Sequence, residues 1–497
     1  MKKKVIIIGA GISGITCGVY LLDNGYDVEI YEKHYIPGGE CTGWVRDNTF
    51  IDGCAHWIVG TNPKSDFYKL WKHIGSIKSD TVIHETKYFN TFDVDGEKVT
   101  IYADIDKLKE ELLRVGPEDK KIINRFIKDI KAYQHVRVPV KKPIDMMNIF
   151  ELTKFGFNFL PMLGSYLRLW KTSHDDYSKI FKSPILKNIF SRILENNYNV
   201  HSLAYVMQAL TKKDAGVIEG GSQVFAINAS EHFKELGGKL YLSKPVKKII
   251  TNGSKVTGVL LEDGSIKEAD YIVASCDLHH TLYNLLENKY TPKVFEERFN
   301  DSINYPLQKC FLVSCKVMAN VDSLPKMINF KLEKEISFAC TNFKYISVRC
   351  HAFDKKINKG ATLFTALLNA SDKAYDYLKA LPKDKYKEEK IRFGEEIRGA
   401  IIDYYKINPE EIKLIDVATP LTYERYCNAY KGSYMSFITT NQTKGLMQKG
   451  VIKGLDNMFL SGQWLMSPGG LPIAVFTGKH AAYRLVRKDK KKFIDLD

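Results

Sequence analysis

Long apolar runs are missing from this sequence. No uncharged stretch reaches the roughly 18–20 apolar residues that cross a bilayer, so a soluble or peripheral chain is expected. Patterned cysteine is missing as well. The nine cysteines form no C-x-x-C pair and no zinc-like quartet, and Cys310 and Cys315 stand apart from histidine. Reduced thiols in a cytoplasmic protein and no metal site are therefore expected. There is no Ser-His-Asp order, no H-E-x-x-H and no Walker-type loop, which removes the familiar hydrolase, zincin and P-loop chemistries. Low-complexity segments and solenoid-period repeats are absent too. Acids are scarce relative to bases: 58 Asp+Glu against 73 Lys+Arg, a net charge of +15. The bases are interspersed with acids, and the densest run, Arg487-Lys488 and Lys490-Lys491-Lys492 around Asp489, is short. No nucleic-acid partner is expected. A lysine-rich surface and attraction to anionic lipid are the two readings of the charge.

What is present is an ordinary globular composition, 44% hydrophobic and 26% charged over 497 residues, enough for two or three domains. Lys2-Lys3-Lys4 and the apolar stretch after them imitate a signal peptide. Glycines fall where a nucleotide-binding turn needs them, however, and no small-residue cleavage site follows. Val5–Ile8 reads as a strand buried on both faces. Gly9-Ala10-Gly11-Ile12-Ser13-Gly14 follows, then a helix to about Leu22, a stop at Asn24-Gly25, and a second strand, Asp27–Tyr31, ending at Glu32. In this fingerprint Gly9 permits the tight turn and Gly11 admits a pyrophosphate to the backbone. Gly14 lets helix and strand pack closely, and the helix N-terminus offers N–H groups to phosphate. Glu32, 18 residues beyond Gly14, can accept from ribose hydroxyls. A second glycine pair, Gly38-Gly39, comes six residues past the acid and can close a second backbone segment over a diphosphate. That favours FAD over NAD.

Residues 66–216 read as mostly helical. Val256–Leu261, Asp263-Gly264 and Ala269–Ala274 read as a hairpin leading into a buried strand. Further strands are expected in 308–318 and 344–369, and a charged helical stretch at 372–405 is interrupted by Pro382. Met458–Ser461 reads as a short strand before a Gly/Pro loop and a final helix from about Ala474. That helix supplies a second N-terminus for phosphate or for the flavin's electron-rich edge.

The order of these blocks resembles the amine oxidase and phytoene desaturase flavoprotein superfamily over residues 5 to about 484. Many members carry arginine after the glycine pair, where this chain has Glu40. Cys41-Thr42-Gly43-Trp44 and Phe50–Trp57 resemble the segment beneath the flavin ring in carotenoid desaturase and retinol saturase relatives. Gly220-Gly221-Ser222, Val246–Ile249, Ser275–His280, Ala418–Tyr426 and Ser461–Trp464 with Pro468–Pro472 resemble further family blocks. The resemblance implies FAD held by Gly9, Gly11, Ile12, Ser13, Gly14, Glu32, Lys33, Gly38, Gly39, Val246, Gly462, Gly470, Leu471 and Pro472.

The fold expected is α/β. A discontinuous Rossmann-like FAD domain (1–75, 211–300 and 430–497) carries an inserted helical and antiparallel-sheet substrate region (76–210 and 301–429). The function expected is FAD-dependent oxidation or reduction at carbon–carbon bonds of a lipophilic unsaturated substrate, by desaturation, saturation or cis/trans isomerisation. The electron partner is not encoded in any visible motif. His56 is the candidate catalytic residue and Trp57 a structural neighbour; His279 and His280 cap or pack. Tyr423, Tyr426 and Tyr434 are candidates for lining the cavity. Residues 143–190, dense in aromatic and aliphatic side chains, read either as a hydrophobic core helix or as an apolar passage or membrane-facing entrance, with Leu167, Leu169 and Trp170 as inserted groups in the second reading. A flavin amine oxidase, and a non-catalytic flavoprotein acting as a redox-responsive scaffold, are the alternatives.

Overall fold

Val5 and Ile7 pack into one apolar core and Ile6 and Ile8 into another, so the first strand is sandwiched. Each such side chain contributes about 1.5–3 kcal/mol on burial, which is why an uninterrupted β-branched run stands here. In the computed structural model, which describes residues 2–54, 57–194, 198–321, 323–358, 360–445 and 447–496, Lys4–Ile8 lies at the centre of a five-stranded parallel sheet. Its strand order is Lys239–Tyr241, Asp27–Tyr31, Lys4–Ile8, Tyr271–Ala274 and Met458–Leu460. Three of these five strands come from segments more than 200 residues beyond the first. The sheet is therefore assembled from distant parts of the chain.

The helix Ile12–Asp23 crosses the sheet and packs against the closing helix Leu471–Lys488. The approach is very close. A Cβ on Gly478 would lie 2.4 Å from the Ser13 carbonyl oxygen, and one on Gly14 would lie 2.1 Å from that of Gly9. The Asn24–Gly25 stop is realised, with Gly25 at φ 82°.

A second sheet of seven strands runs in the order Ile412–Ala418, Lys309–Val317, Thr362–Ala370, Thr341–Cys350, Met327–Phe338, Tyr88–Val94 and Glu97–Tyr102. All its pairings are antiparallel except that of Met327–Phe338 with Tyr88–Val94. The hairpin at 88–102 corrects the helical expectation for 66–216. Its turn, Asp95 at φ 53° and Gly96 at φ 92°, matches the twist of paired strands. The strand Met327–Phe338 was also unexpected. The final helix begins at Leu471 rather than Ala474, with Pro472 in its first turn, where a missing N–H costs nothing. The interrupted helix of 372–405 is two helices, Asp372–Ala380 and Lys383–Tyr405, broken at Pro382.

Candidate functional site

The turn after the first strand is held from both sides. Gly9, at φ 101°, donates its N–H to the Tyr31 carbonyl at 2.9 Å, and Gly38 donates to the Ala10 carbonyl at 2.8 Å. Gly38 bridges Gly11 in parallel fashion, so the two glycine motifs form one surface. Glu32 locks it: Oε2 accepts the Ala10 N–H at 2.7 Å and Oε1 accepts that of His34 at 2.8 Å. Gly11 caps the helix Ile12–Asp23 in ordinary extended geometry. A Cβ added there would meet no protein atom nearer than the Gly38 oxygen at 3.9 Å. The space above the helix N-terminus is thus an open cradle. Neither this helix nor Leu471–Lys488 carries an acid in its first turn, so both positive ends remain available to an anion. The helix Ser222–Glu235 differs. Asp52 accepts from both the Ser222 N–H and its hydroxyl, and this cap was not legible in the sequence.

These elements wall a cavity of about 1360 Å³, larger than most small-molecule sites. Gly9, Gly11, Ile12, Ser13, Glu32, Lys33, Gly38, Gly39, Val246, Gly462, Gly470, Leu471 and Pro472 all line it. Gly14 alone of the expected set does not. It serves helix–strand contact beneath the turn. Lys33 donates to the Arg425 carbonyl and to Asn428, each at 3.3 Å. Gly462, at φ 122°, bonds the Thr477 hydroxyl and stands beside Ser13.

Glu40 and Asp277 also line the cavity. Burial pushes the Glu40 carboxyl well above its ordinary range, against a hydrogen bond from Gln463. Burial raises Asp277 to about 6, opposed by the His280 and Tyr430 N–H groups it accepts. His279 stacks on Tyr430 with ring centroids 3.8 Å apart, the packing role expected of it.

Away from the glycine turn the lining becomes apolar at Trp57, Phe159, Met162 and Tyr166, and then mixed at the large sheet, where Met327, Phe343 and Leu367 stand among polar side chains. His201, unnoticed in the sequence, also lines this part and is enclosed by Tyr133, Tyr166 and Trp170. It shares a 2.8 Å hydrogen bond with the Tyr133 hydroxyl, and burial lowers it to about 4. Tyr426 and Tyr434 line the cavity as expected. Tyr423 does not: it is buried in the core and donates to the Gly53 carbonyl at 3.0 Å. His56 lies outside the described residues.

An open glycine cradle, a buried acid beside it and two unopposed helix ends on one cavity are the features a dinucleotide cofactor requires. The family model for flavin-containing amine oxidoreductases matches residues 12–486, and the chain belongs to that family. Its cofactor is FAD, and the cradle at Gly11 with the space beyond it fits that group.

Among curated relatives, the chain is similar to a neurosporene-forming phytoene desaturase of Rhodobacter capsulatus, 27% identical over 58% of this chain and 55% of that protein. A lycopene-forming phytoene desaturase of Paracoccus sp. is 26% identical over 57% of this chain and 56% of the relative. The chain thus spans little more than half the length of these two. A 1-hydroxycarotenoid 3,4-desaturase of Flavobacterium sp. is 22% identical over 97% and 98%. Of solved structures, cyclohexylamine oxidase from Brevibacterium oxydans superposes with a TM-score of 0.61, at 13% identity over 99% of this chain and 100% of that one. An oxidoreductase from Methanosarcina mazei gives 0.60, at 13% identity over 97% and 100%. These two likenesses establish the fold.

Proposed function

We propose that the protein is an FAD-dependent oxidoreductase acting on carbon–carbon bonds of a lipophilic, unsaturated substrate. The observation that carries this reading is the single cavity, which joins the glycine cradle to a long apolar lining. A small amine needs no such room, and the desaturase likenesses point the same way. Residues 1–75, 211–300 and 430–497 form the cofactor part in this reading, and 76–210 with 301–429 the substrate part.

FAD, when bound, supplies hydride acceptance or donation. The chain supplies the rest. Gly9, Gly11, Gly38 and Gly39 bring backbone to the diphosphate, Glu32 offers its remaining lone pairs to ribose, and Ile12 and Ser13 lend N–H groups. Val246 packs on the adenosine side. Gly462 and the Gly470-Leu471-Pro472 helix start meet the flavin side. Phe159, Met162, Tyr166 and Leu367 exclude water and align an extended apolar chain.

The helix Ile149–Trp170 is the entrance in this reading. Phe155, Phe159, Met162 and Tyr166 line the cavity, while Phe150 (83% exposed), Phe157 (66%), Leu160 and Leu167 face outward. No helix of the described residues is long and apolar enough to cross a membrane. An outward apolar face with Lys154 and Lys171 beside it suits peripheral contact with an anionic bilayer. Leu169 is fully buried and cannot insert, which corrects the expected membrane-inserting set.

The deciding experiment mixes FAD-loaded protein anaerobically with lipophilic polyenes and, in parallel, with small amines. Bleaching by a polyene, with a two-hydrogen mass change in the product, is expected. Bleaching by amines alone would replace this reading with an amine oxidase.

A further inference from the structure

The far end of the cavity is not apolar. In the seven-stranded sheet the parallel pairing sets Asn329 beside Phe92, and so Asn90 beside Met327; Asn329 also pairs with Ser347. Side chains alternate across a pleated strand, so Asn90, Phe92, Met327, Asn329 and Ser347 share one face. Asn90, Met327, Asn329 and Ser347 line the cavity. Asn90 is 4% exposed and Asn329 7%, and the Oδ1 of each is buried with no hydrogen-bond partner.

Arg192 closes the same corner. Its guanidinium lies 4.1 Å from the Tyr345 ring centroid and 5.3 Å from that of Phe92. Nε donates to Asn188 at 2.8 Å and Nη2 to the Asp93 carbonyl at 3.1 Å, while Nη1 is buried without a partner. Asp93 offers no compensating charge by contact, because its carboxylate accepts from the Tyr404 hydroxyl and the Gly96 N–H. Burial lowers the guanidinium to about 10, and Tyr345, Asp93 and Asp95 offset this only in part.

Three unpartnered polar groups in one corner are costly, and native interiors rarely leave them so without a ligand, an ion or an ordered water. The charge of the lining agrees. Its acids, Glu32, Glu40, Glu262 and Asp277, belong to the cofactor end, where Lys33 also stands, whereas no acid among the described residues lines the sheet end beside Arg192. A pure hydrocarbon would leave Asn90 Oδ1, Asn329 Oδ1 and Arg192 Nη1 unsatisfied.

Building on the lipophilic-substrate reading, we propose that the substrate carries a terminal carboxylate, received by Arg192 together with Asn90 and Asn329. The carboxylate accepts from Arg192 Nη1 in a charge-assisted bond. Each asparagine amide turns about its last torsion to present its N–H₂; for Asn329 the Ser347 hydroxyl, now 2.8 Å from Nδ2, then donates to the relocated oxygen. The apolar chain runs from this anchor toward the flavin end, so the anchor sets which double bond reacts.

The test uses FAD-loaded protein and three probes of equal chain: retinoic acid, its methyl ester and retinol. Binding is read from perturbation of the flavin absorbance. The acid is expected to bind about tenfold or more tightly than the ester, as a charge-assisted hydrogen bond implies. Arg192→Gln should abolish that preference while leaving the flavin spectrum unchanged. If the variant does not fold, the wild-type series decides alone. Ester or retinol binding within about twofold of the acid overturns the carboxylate anchor and leaves the polyene reading intact. Failure of all three to bind, with no bleaching by any hydrocarbon polyene, overturns both.

Discussion

Gln463 donates from Nε2 to Glu40 Oε2 at 2.6 Å, and its Oε1 accepts the Gly470 N–H at 2.9 Å. One carboxamide thus ties the glycine-pair segment to the start of the closing helix. The Glu40 carboxyl is raised by burial and by the Asp277 charge, so the folded protein holds its proton more tightly than the unfolded chain. Its stabilising contribution is complete below the ordinary glutamate range and is lost as pH rises through the raised value. Glu40→Gln keeps an acceptor for Gln463 without a titrating proton. The expected outcome is an unfolding temperature for the FAD-free variant that falls less steeply than wild type as pH rises from acid to neutral. Parallel curves would remove Glu40 from this role.

Gly11 and Gly14 are both fingerprint glycines, yet the structure separates their duties. A side chain at Gly11 meets open space, whereas one at Gly14 overlaps the Gly9 carbonyl. Gly11→Val should fold with a cost of about 1 kcal/mol, the difference between glycine and a branched residue at a helix cap, and should fail to bind FAD. Gly14→Ala should lose about 3 kcal/mol or more of stability, because backbone must move. Denaturant melts of both apoproteins and FAD titration of Gly11→Val check the pair. Full FAD binding by Gly11→Val would make the fingerprint a structural turn only.

The cofactor end was legible because its signals are local. Burial on both faces demands the Val5–Ile8 run, and close approach demands glycine at spacings that sequence alone displays. The sheet end was not legible. The strand Met327–Phe338 is half exposed and carries Lys331, Glu333, Lys334 and Glu335, which conceal its alternation. The hairpin at 88–102 did announce itself, through Asp95-Gly96 between alternating residues, but the helices on either side masked it. Asn90, Arg192 and Asn329 sit in three separate segments; strand register unites the two asparagines, and the end of the helix Pro184–Arg192 brings the arginine to them. No pattern within any one segment marks them as a site.

His201 and His279 predict the acid limb of stability. Burial lowers each from the ordinary 6.5 to about 4, so between those values the unfolded chain binds protons that the folded one refuses. Stability is complete above about pH 6.5 and declines as pH falls toward 4. His201→Phe, which keeps an aromatic body among Tyr133, Tyr166 and Trp170, should make that decline shallower. Unfolding temperatures across the interval would show it, and an unchanged slope would assign the acid limb to other groups.

The outward face of Ile149–Trp170 gives the prediction on which substrate delivery depends. Phe150, Phe157 and Leu160 are more than half exposed, so replacing all three by serine removes little packing and should leave the unfolding temperature and the FAD spectrum unchanged. If these side chains enter a bilayer, wild-type protein floats with anionic vesicles and the triple variant does not. Two forces contribute to that association and can be separated. Basic groups near the surface contribute about 1 kcal/mol each at low salt, fading as the Debye length shortens. Burial of the apolar face is insensitive to salt. The triple variant should therefore lose the salt-resistant part of binding, while neutral vesicles should retain wild type weakly. Wild-type protein that floats with neither vesicle, yet turns over a polyene supplied in detergent, would mean that the exposed face meets a carrier protein. Turnover that is lost in the triple variant only when the polyene is supplied in vesicles would place the entrance at this helix.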